Sequence, residues 1–359
     1  MLKIPGIFIV LCIINHCSGY GLGEKLIIDT DGAFDDIRAL TLALTHKDTN
    51  ILAITTTRGG VTETQSAKNV DRILRATKQT HIPIYIGSND SIIPKGPLVV
   101  WEELYGSDGI GGVQDVEPKT LEDSPRISRF MTAIDAIIEL SKLNPDLTMV
   151  CIGPLTNLAR AIQRDPSVVG RLGRVIVMGG NYLGIGNTQT NSTAEFNFLM
   201  DPEAAEIVLR NIHCTLIPWD TSFLKGPEYS KQVNYLESLN FKTPLSKFLK
   251  AITHRAREFN IKHGQTYAFV DDIAVAVGIE PKIAQKVQKL YANVELTNGT
   301  VTRGQVVIDW LSTSYNSKNA QFEAKNLTNK NGWLSHDFVT AYDVRRINKL
   351  MVEGVKRRI

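Results

Sequence analysis

Asp29, Asp31, Asp35 and Asp36 fall within eight residues, in the order Asp-x-Asp-Gly-x-x-Asp-Asp, directly after the apolar residues 26–28. Residues i and i+2 of a strand share a face, so Asp29 and Asp31 point the same way. Gly32 permits a sharp turn that brings Asp35 and Asp36 back toward them. Four carboxylates this close repel one another unless a cation or the hydroxyls of a sugar sit among them. The plainer alternative makes Asp35 and Asp36 ordinary first-turn helix acids and Asp29 a loop cap. That alternative would win for one pair, but the whole pattern after an apolar strand favours a site.

The elements that must position these groups repeat the order strand, loop, helix. Residues 51–57 read as a strand turned by Arg58-Gly59-Gly60, and 64–77 as a helix. After a short strand at 84–87, residues 94–125 are rich in Gly and Pro and read as a long functional loop or lid. Residues 129–143 are helical. A strand at 147–152 ends at Gly153-Pro154-Leu155-Thr156-Asn157, and a helix follows to 164. The next strand, 175–178, closes at Gly179-Gly180-Asn181, before a polar loop at 182–193. Asp201-Pro202-Glu203 starts a helix. Residues 214–218 form a strand, 225–263 look helical, and Asp271-Asp272 opens another helix. Residues 291–296 and 305–310 suggest a late hairpin, and 338–351 a final helix. The fold class is therefore α/β: a single domain with a largely parallel mixed sheet covered by helices on both faces. Asp31, Gly60, Thr156, Asn181 and Asp220 fall where strands end, the edge at which open α/β sheets bind ligands.

The chain has 359 residues, 43% hydrophobic and 21% charged, as in a soluble globular protein. A net charge of +3 with scattered basic residues gives no case for nucleic acid. The basic start, the apolar run 4–14 and the small residues Cys17-Ser18-Gly19 read as a secretory signal peptide over 1–19. The mature domain then covers 20–359 and is secreted, with no later segment apolar enough to span a membrane. Cys151 and Cys214 remain, either as one disulfide or as two buried thiols. Sequons at Asn89, Asn191, Asn298 and Asn326 are glycosylation candidates.

Two function classes compete for Asp29-x-Asp31-Gly32. One is a phosphatase of the haloacid dehalogenase type, with Asp29 as nucleophile and Asp31 as acid/base. It leaves Asp35-Asp36 unexplained, and no later Gly-Asp-x-x-x-Asp motif follows a strand. The other is a metal-assisted glycoside hydrolase. From about Lys25 onward the chain resembles the nucleoside hydrolases. Asp29 to Asp36 is similar to their opening Asp-x-Asp-Pro-Gly-x-Asp-Asp, and Gly153-Pro-Leu-Thr-Asn157 to their second signature. Met178-Gly-Gly-Asn181 with Ala194-Glu195-Phe196-Asn197 looks like the third, Asp272-Ile-Ala-Val-Ala276 like the fourth, and Thr302-Arg303-Gly304 with Asp309 like the C-terminal pattern.

The resemblance implies hydrolysis of the N-glycosidic bond of ribonucleosides and a bound Ca²⁺. The implied metal ligands are Asp31, Asp36, the backbone carbonyl of Thr156, and Asp272, all hard oxygen donors. The ion would hold the ribose hydroxyls and a water whose proton Asp31 takes. Asp35, Asn187, Glu195 and Asn197 would bind the sugar. The chain departs from the family pattern in three places. Gly32-Ala33 replaces Pro-Gly. Gly59-Gly60 replaces Gly-Asn, with loss of one ribose contact. Asp271-Asp272 stands where many members carry His-Asp. Asp271 is then either the acid that protonates the leaving base, if its pKa is raised, or an acid that caps the helix or supports its neighbour. Without that histidine the reading leans to purine nucleosides activated by stacking, with Trp101, Tyr105, Trp219, Tyr267 and Trp333 as available rings. The expected partners are a small ribonucleoside and further copies of the chain in a homodimer or homotetramer. A nucleoside-binding protein with this fold and impaired catalysis is the remaining alternative.

Overall fold

Leu26, Ile27 and Ile28 have no solvent exposure, so the strand that carries the acidic motif lies inside the molecule. A computed structural model describes residues 24–94, 102–188, 192–222, 232–234, 236–265, 267–317 and 321–357. The expected signal peptide, Trp101 and Asn191 lie outside the described residues. β1 (Glu24–Thr30) leads into α1 (Phe34–Thr45) through a left-handed turn at Gly32, φ +69°. A Cβ there would meet Ser66 Oγ at 2.4 Å, so both the turn and the packing require glycine.

The chain continues through β2 (Thr49–Thr56), α2 (Glu63–Ala76), β3 (Ile84–Ile86), the short α3 (Glu102–Tyr105), α4 (Ala133–Leu143) and β4 (Leu147–Cys151). Then come α5 (Thr156–Arg164), α6 (Val168–Arg171), β5 (Leu172–Met178), α7 (Phe196–Met200), α8 (Pro202–Asn211) and β6 (Thr215–Ile217). α9 (Pro244–Ile252), α10 (His254–Lys262) and α11 (Asp271–Ile279) precede β7 (Ala284–Val294), β8 (Val306–Ile308), β9 (Ser314–Asn316), β10 (Gln321–Glu323), β11 (Ser335–Tyr342) and α12 (Val344–Lys356).

Nine strands form one sheet in the order β3-β2-β1-β4-β5-β6-β11-β7-β8. The pairings from β3 through β11 are parallel, and β11–β7 and β7–β8 are antiparallel. Neighbouring strand residues face opposite layers. Ile28, Val150 and Ile176 pack with α1, α2, α9, α11 and α12. Ile27, Met149 and Val177 pack with α4, α5 and α8. The expected mixed sheet with helices on both faces is present. Cys151 and Cys214 are buried free thiols. Among the described residues no helix is long and apolar enough to cross a membrane.

Several boundaries differ from the sequence expectation: β7 begins at Ala284 and not at 291, and the described part of the stretch expected to be helical over 225–263 holds α9 and α10, with 225–231 and 235 outside the described residues. Residues 338–351 divide into β11 and α12, because 335–342 is buried on both faces between β6 and β7, whereas the helical stripe Val344, Ile347, Leu350, Met351 begins only after Asp343. Asp343 caps α12 by accepting from Arg346 N at 3.0 Å. The helix expected from residue 129 begins at Ala133, where Thr132 and Asp135 form a capping box. The described stretch 102–125 of the expected loop contains α3 and is anchored by buried Arg72, which donates to the carbonyls of Pro118, Val113 and Val116 at 2.7, 2.7 and 2.8 Å.

Candidate active site

The carboxyl ends of β1, β4 and β5 open into a cavity of about 560 Å³. Asp31, Asp35, Asp36, Glu195 and Asp271 line it, with Asn187, Asn197 and Gly60. Two elements set the acidic wall. The β1–α1 turn supplies Asp31, Asp35 and Asp36, and the first turn of α11 supplies Asp271. Helix N-termini favour acids, so both placements are consistent with local preference.

Asp31 Oδ2 accepts from Gly60 N at 2.8 Å. A Cβ on Gly59 would stand 1.9 Å from the same oxygen, so that residue is glycine for lack of space. Gly60 differs: a Cβ there would have nothing closer than 3.9 Å. Asp36 Oδ1 accepts from the Thr30 hydroxyl and from Asp31 N at 3.2 Å, which ties the turn to the helix. Asp35 Oδ1 is buried without a hydrogen-bond partner.

Oxygens of Asp35, Asp36 and Asp271 lie within 4.8 Å of one another, a group that could hold a metal ion. Burial, reinforced by Asp31, raises the Asp35 carboxyl to about 7 and Asp36 well above the usual carboxylate range. Burial and then Asp35 and Asp31 do the same to Asp271. An unpartnered oxygen, three crowded carboxylates and donors that are all hard oxygen fit a cation such as Ca²⁺ or Mg²⁺.

Glu195 is the N-cap of α7. It accepts from Asn197 N and Gly180 N at 2.9 Å and from Phe198 N at 3.2 Å. Burial nevertheless raises it to about 7. Asn187 Oδ1 accepts from Phe196 N at 2.7 Å. Asn197 Nδ2 donates to the carbonyls of Ile152 and Met178 at 3.3 and 3.2 Å. Asn187, Glu195 and Asn197 are thus brought to one cavity wall from the β5–α7 connection.

Two expected metal ligands stand elsewhere. Asp272 accepts from Arg38 Nε at 3.3 Å and from the Tyr267 hydroxyl at 2.9 Å, and it does not line the cavity. Its neighbour Asp271, expected as a leaving-group acid or a capping and supporting acid, occupies the three-carboxylate group instead. Thr156 also lies outside the lining: it is the first residue of α5, so its carbonyl points along that helix, and its hydroxyl donates to Asp201 at 2.7 Å. Ile152, just past the end of β4, is the residue of that connection that reaches the cavity. Asp29, the nucleophile of the phosphatase reading, is fully buried and accepts from Thr55 and Asn157 at 2.5 and 2.8 Å. It does not line the cavity.

Several aromatic rings share the cavity with the carboxylates. Tyr105, Trp219 and Tyr267 line it, as do Phe34 and Phe259, which the motifs did not flag. Trp333 is not in the lining. His263 at the end of α10 is a further lining residue without a motif; only the Gly264 that follows it marks a helix end in the sequence. The sequons Asn89, Asn298 and Asn326 are exposed.

Residues 26–333 match the sequence model of a family described as inosine-uridine preferring nucleoside hydrolase. A probable uridine nucleosidase 2 of Arabidopsis thaliana is 33% identical over 186 residues, 52% of this chain, so the match spans only 55% of that relative. The pyrimidine-specific ribonucleoside hydrolase RihA of Salmonella agona (strain SL483) is 28% identical over 302 residues, 82% of this chain and 91% of the relative. A solved structure described as an inosine-guanosine nucleoside hydrolase superposes with a TM-score of 0.77 at 26% identity, covering 94% of this chain and 100% of the other. A purine-preferring ribonucleoside hydrolase from Gardnerella vaginalis gives 0.71 at 27% identity, covering 92% and 98%.

Proposed function

This chain belongs to the inosine-uridine preferring nucleoside hydrolase family, and from that membership we propose a secreted, Ca²⁺-dependent enzyme that prefers purine ribonucleosides and releases free base and ribose. The observation that carries the reading is one cavity lined by five carboxylates and by several aromatic rings. The carboxylates suit the ribose, whose transition state is positively charged at the anomeric carbon. The rings suit the base.

Asp36 and Asp271, with Asp35 and Asp31 beside them, would hold the cation. When bound, it lowers the pKa of water and polarises hydroxyls. Asp31 is fixed by Gly60 N and is the proposed general base, taking the proton of the attacking water. Glu195, Asn187 and Asn197 are the proposed ribose-hydroxyl binders. Glu195 is itself fixed by three backbone donors, so its carboxylate is pre-oriented before substrate arrives. Asp272 supports the site from behind by holding Arg38 and Tyr267.

Product analysis tests this directly. The secreted protein is incubated without phosphate with inosine, guanosine, adenosine and uridine, with and without a chelator. Base plus ribose, lost on chelation and restored by Ca²⁺, with inosine and guanosine fastest, is the expected result. Faster uridine turnover would overturn the purine preference. No turnover of any nucleoside, with Ca²⁺ still bound, would leave a binding protein. N-terminal sequencing of the secreted chain tests cleavage after residue 19, glycosidase treatment tests the sequons, and light scattering tests the dimer or tetramer.

A further inference from the structure

Hydrolysis needs a proton for the departing base as well as a base for the water. Asp271 stands inside the three-carboxylate group, and Val270 before it offers no proton. The Tyr267 hydroxyl donates to Asp272. The cavity has one imidazole in its lining, His263.

We propose that His263 is the acid that protonates the leaving base. The proposal rests on the nucleoside hydrolase reading above. His263 is the C-cap of α10, and Gly264 follows with φ +64°, so the chain turns there and leaves the ring at the cavity wall. Nδ1 lies 2.9 Å from the Phe259 carbonyl. A carbonyl only accepts, so Nδ1 carries a hydrogen and Nε2 is the nitrogen that gains and loses the exchangeable proton. Among the described residues Nε2 has no protein partner. The Phe259 ring lies 4.1 Å from the imidazole, centroid to centroid, and tilted by 34°. Phe259 also lines the cavity, so the imidazole and the ring beside it reach the same cavity as the carboxylates.

α10 is held where it is by α3. Arg255 Nη1 donates to the Glu102 carbonyl at 2.9 Å, and Lys262 pairs with Glu103. Lys262, next to His263 in the chain, and Glu103 are matched to each other. The same α3 carries Tyr105 into the cavity.

In the proposed step the C1′–N bond breaks and its electron pair goes to the base, which takes the proton from Nε2. Water forms the new C1′–O bond and gives its proton to Asp31. One proton leaves His263 and one arrives at Asp31, and exchange with solvent resets both.

A leaving group that departs as a stable anion needs no acid. The test therefore compares inosine with p-nitrophenyl β-D-ribofuranoside in the full-length wild type and in His263→Gln and His263→Ala, each checked for unchanged unfolding temperature. The expected result is a loss of 10²-fold or more in kcat on inosine, with riboside turnover within a few-fold of wild type. Equal losses on both compounds would make His263 a structural residue and overturn the proposal, as would no loss on either. Wild type inactive on both compounds would instead sink the hydrolase reading itself. Should both variants unfold, Phe259→Leu removes the ring beside the imidazole and must show the same selective loss on inosine; equal losses there would likewise overturn the proposal.

Discussion

Asp272 Oδ1 lies 3.3 Å from Arg38 Nε, and the guanidinium of that arginine sits 4.2 Å from the centroid of Tyr267, which donates its hydroxyl to the other Asp272 oxygen. Both charges are buried, at 0% and 2% exposure. One residue earlier, Asp271 turns into the cavity. Adjacent carboxylates thus serve a buried ion pair and the acidic wall respectively.

Asp272→Ala should cost about 3–5 kcal/mol, the usual effect of leaving a buried charge uncompensated. Asp271→Asn should leave the chelated protein as stable as wild type, or more so, because it removes a like charge from the group. It should abolish Ca²⁺ binding. Thermal unfolding and calorimetric Ca²⁺ titration of the two variants check this; the reverse assignment would interchange the two results.

The neighbouring glycines should also diverge. Gly59→Ala forces a methyl to within 1.9 Å of Asp31 Oδ2 and should lower kcat by two orders of magnitude or more through displacement of Asp31. Gly60→Ala meets nothing closer than ordinary van der Waals contact, at 3.9 Å, and should retain activity within a few-fold. Steady-state kinetics on the favoured nucleoside would measure both.

Asp31→Ala should reduce turnover by about 10²–10⁴-fold, the range for a general base, with folding unchanged. Rapid quench and circular dichroism would separate the two effects. Turnover retained at wild-type level would remove Asp31 from the mechanism.

The crowded carboxylates make stability depend on pH. Asp29, Asp35 and Glu195 are each raised to about 7, chiefly by burial, and Asp36 and Asp271 move the same way. Between the ordinary carboxylate pKa of about 4 and about 7 the folded chain binds more protons than the unfolded one, so stability falls as pH rises. In chelator, the unfolding temperature should therefore decline across that window. Ca²⁺ added at pH 7 should restore it by mass action. A chelated protein whose stability rises from pH 5 to 7 would contradict this account.

How far the site could be read from the sequence follows from how local its parts are. Asp31, Asp35 and Asp36 share one strand–turn–helix, so contiguous residues specify their convergence. Glu195 and Asn197 likewise occupy a single cap. The division of labour between Asp271 and Asp272 is not local: it depends on Arg38, on another helix 234 residues away. Ile152 takes the cavity position expected of Thr156 because helix geometry aims the Thr156 carbonyl away. Phe259 and His263 lie on an ordinary surface-type helix whose period carries no sign of a cavity. β11 was hidden because its buried run joins the stripe of α12 without a glycine or proline between them.

The place of β11 has a consequence for how the chain is made. β1 to β6 can assemble as they leave the ribosome, but β6 and β7 meet only through residues 335–342, which emerge after both. Until then the nascent chain carries two open strand edges, each able to pair with a stranger. Completion of the central sheet is therefore deferred until residues 335–342 have emerged, so a ribosome that stops short of Ser335 releases a protein whose acidic motif is fully built but whose sheet stays unclosed.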